Sequence, residues 1–242
     1  MQLKGAAILV VDDEPALQKI FADWVRREGA TVYSASNGAE ALEVAQAHHI
    51  DLVLSDVRMP VMDGIALAKR LKEVERYTIK VIFVSGFADL SDREAFDLGV
   101  EEFLHKPIRR KPLIAKLQQC LADREELWSE PHDIPAEQTL RQKFPSLSDA
   151  LERHMIGFGR GGFCMRIDQP VQDDMELNLD LEFEADAHAL RGQGVVRWTS
   201  NGEGLCGIEL LYLDQADRRW VLELTRENSS RSFIPARPVS AQ

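Results

Sequence analysis

Short apolar runs alternate with segments of helical periodicity over the first half of the chain, and this alternation most constrains the fold. The run Ala6–Val11 contains no polar residue, and Glu14–Glu28 follows it with apolar residues at helical spacing. Uninterrupted apolar strands are typical of a parallel sheet buried on both faces. The pattern predicts an α/β fold, a doubly wound (βα)5 parallel sheet. Its further strands are predicted at Thr31–Ala35, Asp51–Ser55, Lys80–Val84 and Glu101–Leu104, and its further helices at Gly38–His49, Ile65–Glu75, Leu90–Leu98 and Lys111–Leu127.

The pattern changes after the fifth predicted helix. Glu130–Pro145 is rich in proline and predicts a linker with a short helix at Ala136–Phe144, and a second short helix is predicted at Leu147–Ile156. In Met175–Phe183 apolar and polar residues then alternate with period two, which predicts a small antiparallel β-barrel, followed by a last helix at Gln215–Glu227. The expected domains are residues 1–128, a linker with short helices at 129–152, a barrel at 153–228 and a disordered tail at 229–242.

Composition and charge narrow the classes of partner. The net charge is −11, and the residues after Glu125 hold 12 Lys and Arg against 20 Asp and Glu, so a nucleic-acid surface is not expected there. The three cysteines are far apart and do not have the spacing of a zinc site. No run reaches the roughly 20 apolar residues of a membrane helix, and no secretory signal is evident. We therefore expect a cytoplasmic protein without membrane insertion.

Five polar residues stand at the ends of four predicted strands. Asp12 and Asp13 follow the first strand, Asp56 the third and Lys106 the fifth, while Ser85 ends the fourth. Strand ends of an open α/β sheet converge at one edge, where functional sites form. Three carboxylates together need a cation, and oxygen ligands with open positions suit Mg²⁺. A metal-neutralised Asp can attack a phosphoryl group, and Lys and Ser can donate to the resulting anion.

The blocks ILVVDDEP, LVLSDVRMPVMDG, VIFVSGFAD and EEFLHKP resemble the signature blocks of response-regulator receiver domains over roughly residues 5–125. The resemblance implies that Asp56 is the phosphoacceptor. It also implies that Asp13 and Asp56 bind Mg²⁺ directly, that Asp12 acts through water, and that the backbone carbonyl of Arg58 is the third protein ligand.

The same resemblance gives roles to residues of the later strands. It implies that Ser85 and Lys106 contact the phosphoryl group, that Ser85 and Phe103 form the switch, and that Lys106–Pro107 is a cis peptide bond. Phosphatases with an Asp nucleophile carry a second acid two residues on, where this chain has Arg58. The expected activity is therefore a phospho-acceptor switch that catalyses only its own phosphorylation and dephosphorylation. A histidine kinase or a phosphotransfer protein is the implied donor.

The blocks RGGFCMRIDQP, MELNLDLEF, GQGVVRW and GLCGIELLYLD resemble a PilZ domain, a small β-barrel with a C-terminal helix. Many PilZ members bind cyclic di-GMP. At the family's Asn/Asp-x-Ser-x-x-Gly positions this chain has Gly157, Gly159 and Gly162, so both polar ligands are absent, as is the expected arginine pair. Weak or no binding of cyclic di-GMP is therefore expected.

Several alternatives stay open for the second half. Arg160 and Gly162 are candidate ligand residues of an anion-binding nest in GFGRGGFCM, and the alternative is a plain tight turn. The leading interpretation is an interaction module with an unknown protein partner, whose binding, or pairing into a homodimer, changes on phosphorylation. The alternative is a dual-signal regulator that also binds cyclic di-GMP. A transcription factor is disfavoured because acidic and basic residues balance in the last helix.

Overall fold

A computed structural model describes residues 3–74, 79–86, 90–135, 137–200, 204–227 and 232–237. The chain divides into two compact units. The first comprises Met1–Ser91 with Leu98–Ala122, and the second comprises Asp92–Asp97 with Asp123–Gln242. Each unit contains one sheet.

The sheet of the first unit has five parallel strands in the order β2-β1-β3-β4-β5. Consecutive strands in space are parallel, so a crossover segment must return the chain each time. The order confirms the predicted parallel α/β fold of the N-terminal half. The strands are β1 Ala7–Val11, β2 Thr31–Ala35, β3 Leu52–Ser55, β4 Lys80–Ser85 and β5 Glu102–His105.

The crossover segments contain the predicted helices, with some changes at their ends. Asn37 begins the second helix as its N-cap, because its side chain accepts hydrogen bonds from the backbone N–H groups of Ala39 and Glu40. The fifth predicted helix is interrupted after Leu121 and resumes as a separate short helix. The helices are α1 Pro15–Arg26, α2 Gly38–Ala47, α3 Gly64–Val74, α4 Asp92–Asp97, α5 Arg110–Leu121 and α6 Arg124–Leu127.

The central strands of the first unit are buried over their whole length. All four residues of β3 are buried, and so are five of the six residues of β4. Helices α1 and α5 cover the sheet with Phe21, Val25, Leu113 and Leu117. A strand end within such a core is held rigidly, which fixes the side chains that follow it.

The sheet of the second unit has six strands in the order β6-β9-β10-β11-β8-β7. The pairs are antiparallel except β6 with β9, which is parallel. Among the described residues β6 and β7 are the two end strands, and the sheet is a curled half-barrel, which is compatible with the small barrel that was expected. The strands are β6 Thr139–Phe144, β7 Ile156–Phe158, β8 Gly162–Arg166, β9 Glu176–Phe183, β10 His188–Ser200 and β11 Leu205–Leu213.

Among the described residues the second unit contains α4 and α6, given above, and two later helices, α7 Leu147–Glu152 and α8 Gln215–Glu227. Ser146 caps α7 as predicted, since its side chain accepts a hydrogen bond from the N–H of Asp149. Helix α8 places Val221 and Leu224 in the main core of the unit, where they meet strand residues such as Leu181 and Ile208.

The predicted linker differs from the structure. The segment expected to be a helix at Ala136–Phe144 forms strand β6, and position 136 itself lies outside the described residues. Leu140 and Phe144 are buried in the core, and Phe144 stacks on Phe183 with ring centroids 5.2 Å apart. Pairing with β9 and this burial override the local helical propensity. The second unit therefore begins before residue 153.

The expected disordered tail is also corrected in part. Residues 232–237 are described, and within them Phe233 is 1% and Ile234 0% exposed. The rest of the predicted tail, 229–231 and 238–242, lies outside the described residues. In the part of the chain that the structure describes, none of the helices is long and apolar enough to cross a membrane.

Candidate functional site

Three carboxylates meet at the carboxyl ends of β1 and β3. Val11 and Ser55 are paired across these strands, so the residues that follow them, Asp12 and Asp56, leave the sheet side by side. The N–H of Asp56 donates to the carbonyl of Val11 at 2.8 Å. Carboxylate oxygens of Asp12, Asp13 and Asp56 all lie within 4.8 Å of one another. The structure therefore brings together the three predicted acidic residues.

Backbone donors orient the two inner carboxylates. Asp12 Oδ1 accepts a hydrogen bond from the N–H of Glu14 at 2.9 Å, and Asp56 Oδ1 accepts one from the N–H of Arg58 at 3.2 Å. Asp12 and Asp56 are 2% and 9% exposed, whereas Asp13 is open to solvent. One oxygen of each inner carboxylate is thus fixed by the backbone, and the other is directed to a side-chain partner.

That partner is Lys106, which follows β5. Its Nζ lies 3.1 Å from Asp12 Oδ2 and 2.5 Å from Asp56 Oδ2. Burial raises the pKa of Asp12, and the Lys106 hydrogen bond opposes this rise only in part. Burial lowers the pKa of Lys106, but its hydrogen bonds to Asp56 and Asp12 outweigh burial and the net pKa is raised. Lys106 is therefore a stable cation that balances the acidic cluster.

The remaining predicted residues lie along β4 and β5. Ser85 is 1% exposed at the end of β4, and its carbonyl accepts a hydrogen bond from the N–H of Lys106 at 2.9 Å. The Lys106–Pro107 bond is cis, as the resemblance implied. Phe103 is buried and packs edge-on against Phe83, with ring centroids 6.4 Å apart. All of these residues except Phe103 therefore stand at the sheet edge that carries the carboxylates.

Two supporting residues were missed by the sequence analysis. Gln18 Nε2 donates to the backbone carbonyls of Asp12 and Ala35, at 3.3 and 2.8 Å, and so ties the ends of β1 and β2 together. A Cβ at Gly64 would lie 2.2 Å from the carbonyl oxygen of Asp56, so only glycine fits there. The signal for Gln18 was a polar residue on the sheet-facing side of α1, next to Leu17 and Phe21.

The donor set fits a hard divalent cation. All three acidic side chains offer oxygen, and the cluster leaves one carboxylate exposed to solvent, where water can complete the coordination shell. Mg²⁺ prefers such oxygen ligands and retains several waters. The residues present therefore match the magnesium site that the sequence predicted.

Comparisons with known proteins agree with this geometry. Residues 8–118 match the family model of the response regulator receiver domain. The N-terminal half of the chain carries a receiver domain.

The chain is 31% identical over 115 residues to the TorCAD operon transcriptional regulatory protein TorR of Escherichia coli, covering 47% of this chain and 49% of that protein. It is 31% identical over 132 residues to the transcriptional regulatory protein SrrA of Staphylococcus aureus, covering 52% and 53%. The chain thus spans about half the length of the curated relatives it matches.

Solved structures give similar coverage. The response regulator TrrA from Thermotoga maritima, in complex with Mg²⁺ and BeF, is 28% identical over 48% of this chain and 99% of its own, with a TM-score of 0.43. The receiver domain of an HD domain-containing protein from Pseudomonas fluorescens is 27% identical over 48% of this chain and 94% of its own, with a TM-score of 0.46. Both matches cover only about half of the chain.

The candidate anion nest of the second unit is not open. The N–H groups of Arg160 and Gly161 donate to the carbonyls of Ser232 and Phe233, at 3.0 and 2.9 Å. Gly162 is the first residue of β8, and a Cβ there would lie 1.9 Å from the carbonyl oxygen of Ile208. The N–H groups of Arg160 and Gly161 are thus engaged by the chain's own backbone, which favours the alternative of a tight turn.

Proposed function

We propose that the chain is a cytoplasmic response regulator whose Asp56 accepts a phosphoryl group from a histidine kinase or a phosphotransfer protein. The observation that carries this proposal is the convergence of Asp12, Asp13, Asp56 and Lys106 at one edge of the sheet. The matched receiver family supports the same assignment. Three acids with one lysine form a site that accepts an anion only when a further cation is supplied.

In the proposed reaction an oxygen of Asp56 forms a bond to phosphorus. The bond from phosphorus to the donor's imidazole nitrogen breaks, its electron pair stays on that nitrogen, and water protonates it. Asp13 and Asp56, with Asp12 through water, would hold Mg²⁺, whose charge together with that of Lys106 would offset the three carboxylates and favour binding of the phosphoryl oxygens. Lys106, whose raised pKa keeps it cationic, would move from Asp56 Oδ2 to the new phosphoryl group, and Ser85 would donate its hydroxyl.

The residue at position 58 favours the function of a phospho-acceptor switch and disfavours that of a phosphatase. Arg58 stands two residues after the nucleophile and is exposed, and it cannot give a proton to a leaving group or take one from water. The acyl phosphate would therefore persist long enough to change the populations of two conformations. Ser85 and Phe103 are the residues through which we expect that change to pass.

The test of this proposal is Asp56→Asn, which removes the nucleophile but keeps the side-chain shape. Incubated with a small-molecule phosphodonor and Mg²⁺, wild type should gain one phosphoryl group by intact mass, and the variant should gain none. Asp23→Asn is a suitable control, because Asp23 pairs with Arg26 on the surface of α1. Stoichiometric phosphorylation of Asp56→Asn would show that the nucleophile is another residue.

We also propose that the second unit is a PilZ-like interaction module for a protein partner and binds cyclic di-GMP weakly or not at all. The engaged amides of Arg160 and Gly161 support this part of the proposal. The curated relatives are described as transcriptional regulators, but their matches cover half their length. Helix α8 alternates Asp217, Arg218, Arg219 and Glu223, a poor charge pattern for DNA.

A further inference from the structure

Residues Ser232–Ala236, called the strap below, are bound to helix α4 by hydrogen bonds. Both belong to the second compact unit. The Ser232 hydroxyl donates to the carbonyl and to Oδ1 of Asp97, at 3.0 and 3.1 Å, and Asp97 Oδ1 also accepts from the N–H of Ala236 at 2.9 Å. Arg93 Nη2 donates to the carbonyl of Ala236 at 2.8 Å. The strap therefore contacts α4 near both of its ends.

The strap is also bound to the turn between β7 and β8. The N–H of Phe233 donates to the carbonyl of Phe96 at 2.8 Å, while the carbonyl of Phe233 accepts from the N–H of Gly161. One residue of the strap thus bonds to helix α4 on one side and to the turn on the other. The carbonyl of Ser232 accepts from the neighbouring Arg160 N–H.

An apolar cluster lies beneath these hydrogen bonds. The rings of Phe96 and Phe233 are 5.8 Å apart, and the Arg93 guanidinium lies 4.9 Å from the Trp198 ring centroid. This cluster is separate from the main core of the unit and contains members from α4, the sheet and the strap. Its residues are Phe96, Cys164, Trp198, Leu205, Phe233 and Ile234, and none is more than 4% exposed.

The glycines of the turn are explained by the strap. A Cβ at Gly161 would lie 2.1 Å from the Phe233 ring, and a Cβ at Gly159 would lie 2.6 Å from the Phe233 carbonyl oxygen. Any other residue at these two positions would push the strap away. Gly159, one of the two glycines that replace polar residues of the PilZ motif, is thus also one of the two that admit the strap.

Helix α4 depends on such contacts for its position. It has six residues, and isolated helices of that length are not stable in water. Residues 86–91, of which 87–89 lie outside the described part of the chain, join it to Ser85, the last residue of β4. A connection this short can pass a displacement at Ser85 on to α4, and a movement of α4 away from the strap would break the hydrogen bonds between them.

We propose that the strap is a releasable latch that holds α4 on the second sheet, and that phosphorylation of Asp56 opens it. The second half of this statement rests on the proposed function. Opening would expose the apolar residues that the strap covers, among them Phe96, Trp198 and Leu205, and would give the second unit a surface for its partner. The coupling is reciprocal, so loosening the strap changes α4 as well.

Hydrogen exchange of the full chain, measured by mass spectrometry, tests the latch. Phe233→Ala removes the strap's central ring, and Gly161→Ala displaces that ring from the opposite side. Phe233→Ala should speed exchange in peptides that cover α4 by at least about a hundredfold, because a buried aromatic ring is lost. Gly161→Ala should speed exchange in the same peptides, because its added methyl group displaces that ring. Ser232→Ala, which removes only the hydroxyl contacts, should give an increase of about tenfold or less.

Two truncations provide the matched control. A chain ending at Glu227 lacks the strap and should exchange rapidly in α4, whereas a chain ending at Arg237 keeps it and should behave as wild type. Peptides from β1 and β3 should be unchanged in every variant, which verifies that the first sheet is folded. Wild-type exchange of α4 in both Phe233→Ala and the shorter truncation would overturn the latch.

Addition of a phosphodonor and Mg²⁺ separates the latch from the proposed function. With one phosphoryl group present by intact mass, exchange in the strap and in α4 should rise in wild type and stay constant in Asp56→Asn. A phosphorylated chain with unchanged exchange would overturn the coupling. Absence of the phosphoryl group would refute the proposed function, and the strap variants would still decide whether the latch exists.

Discussion

At the scale of single residues, Lys106 shows how far the sequence predicts the site. Its place after the fifth strand predicted a convergence with Asp12 and Asp56, because strand ends share one edge of a parallel sheet. The structure places its Nζ within hydrogen-bonding distance of both carboxylates. The positions of these residues at the ends of predicted strands were sufficient for this prediction, and no side-chain geometry was needed.

Gln18 makes a contact that cannot be predicted from the positions of residues at strand ends. Its amide reaches from α1 to two backbone carbonyls, that of Asp12 directly after β1 and that of Ala35 at the end of β2. That contact depends on the rotation of α1 about its own axis and on the crossing of helix and sheet. Amphipathic spacing defines a helix face only within about one residue, so a polar residue at the border of that face is read equally well as solvent-exposed.

Removal of one ligand should separate metal binding from folding. Asp13→Ala deletes an exposed oxygen ligand and one of three mutually repelling charges. We expect Mg²⁺ affinity to fall by at least about tenfold, and the thermal unfolding midpoint in the presence of a chelator to stay constant or rise. Titration calorimetry and thermal melts measure the two effects. Equal Mg²⁺ affinity in Asp13→Ala and wild type would argue against a role for Asp13 as a ligand.

At the scale of elements, a buried ion pair joins α3 to β4 and β5. Lys72 Nζ lies 3.2 Å from Glu101 Oε1 and donates to the carbonyl of Ile79, while Glu101 accepts from the N–H of Val81. Both side chains are at most 2% exposed. This pair could not be predicted from the residue pattern, because Lys and Glu are rarely fully buried and each stands next to other charged residues.

Breaking this pair should be costly. Lys72→Met leaves the Glu101 carboxylate buried without its cation, and we expect the free energy of unfolding to fall by about 3–5 kcal/mol. Lys116→Met is the matched control, since Lys116 pairs with Glu102 at 2.5 Å in a more exposed position and should lose about 1 kcal/mol or less. Urea unfolding gives both values, and similar losses in the two variants would contradict the importance of burial.

Strands β8 and β11 carry two buried thiols that should weaken the protein at high pH. Burial raises the pKa of Cys206 from 9.0 to about 12 and raises that of Cys164 as well. In the unfolded chain both thiols ionise near the ordinary value, so the stability present below pH 9 is lost as the pH rises toward 12. We expect Cys164→Ser with Cys206→Ser to reduce this alkaline loss, measured by urea unfolding across that range. An identical slope in wild type would disprove the thiols' contribution.

Strand β6 was the element for which sequence reasoning failed. Its apolar residues do not alternate strictly, and Leu140 and Phe144 have helical spacing. The partner that makes it a strand is β9, more than thirty residues later, and that pairing is parallel. An end strand that pairs with a distant segment is barely visible in the local pattern of apolar residues. The interior strands of the first sheet can be predicted, because each is a continuous apolar run.

At the scale of the whole molecule, the full chain should bind cyclic di-GMP weakly or not at all. The polar motif residues and the arginine pair are missing, and charge-assisted contacts are each worth roughly 1.5–3 kcal/mol. Loss of two such contacts lowers affinity about a hundredfold to ten-thousandfold. Titration calorimetry at moderate salt should show no saturation at low micromolar nucleotide. Saturable one-site binding there would favour the dual-signal alternative instead.

The two halves of the chain also differ in how well sequence predicted them. The parallel sheet and its acidic edge followed from periodicity and strand ends alone. In the second half, alternation predicted β9 but not the parallel pairing of β6 with it, and the tail residues Phe233 and Ile234 gave no signal of burial. Two apolar residues in a polar tail are predicted to be solvent-exposed unless the surface on which they pack is known.

Because the strap is synthesised near the end of the chain, it affects the folding of the nascent protein. The first sheet is complete in the nascent chain once β5 has been made. The hydrogen bond between Trp128 and Leu213 can form only after Leu213 has been made, and the contacts of α4 with Phe233 only after Phe233 has been made. From its own synthesis until the strap has been made, α4 therefore carries an uncovered Phe96. Contacts of such long sequence separation form late and slowly. We expect a ribosome-bound chain to be most vulnerable to proteases and to chaperone capture at α4.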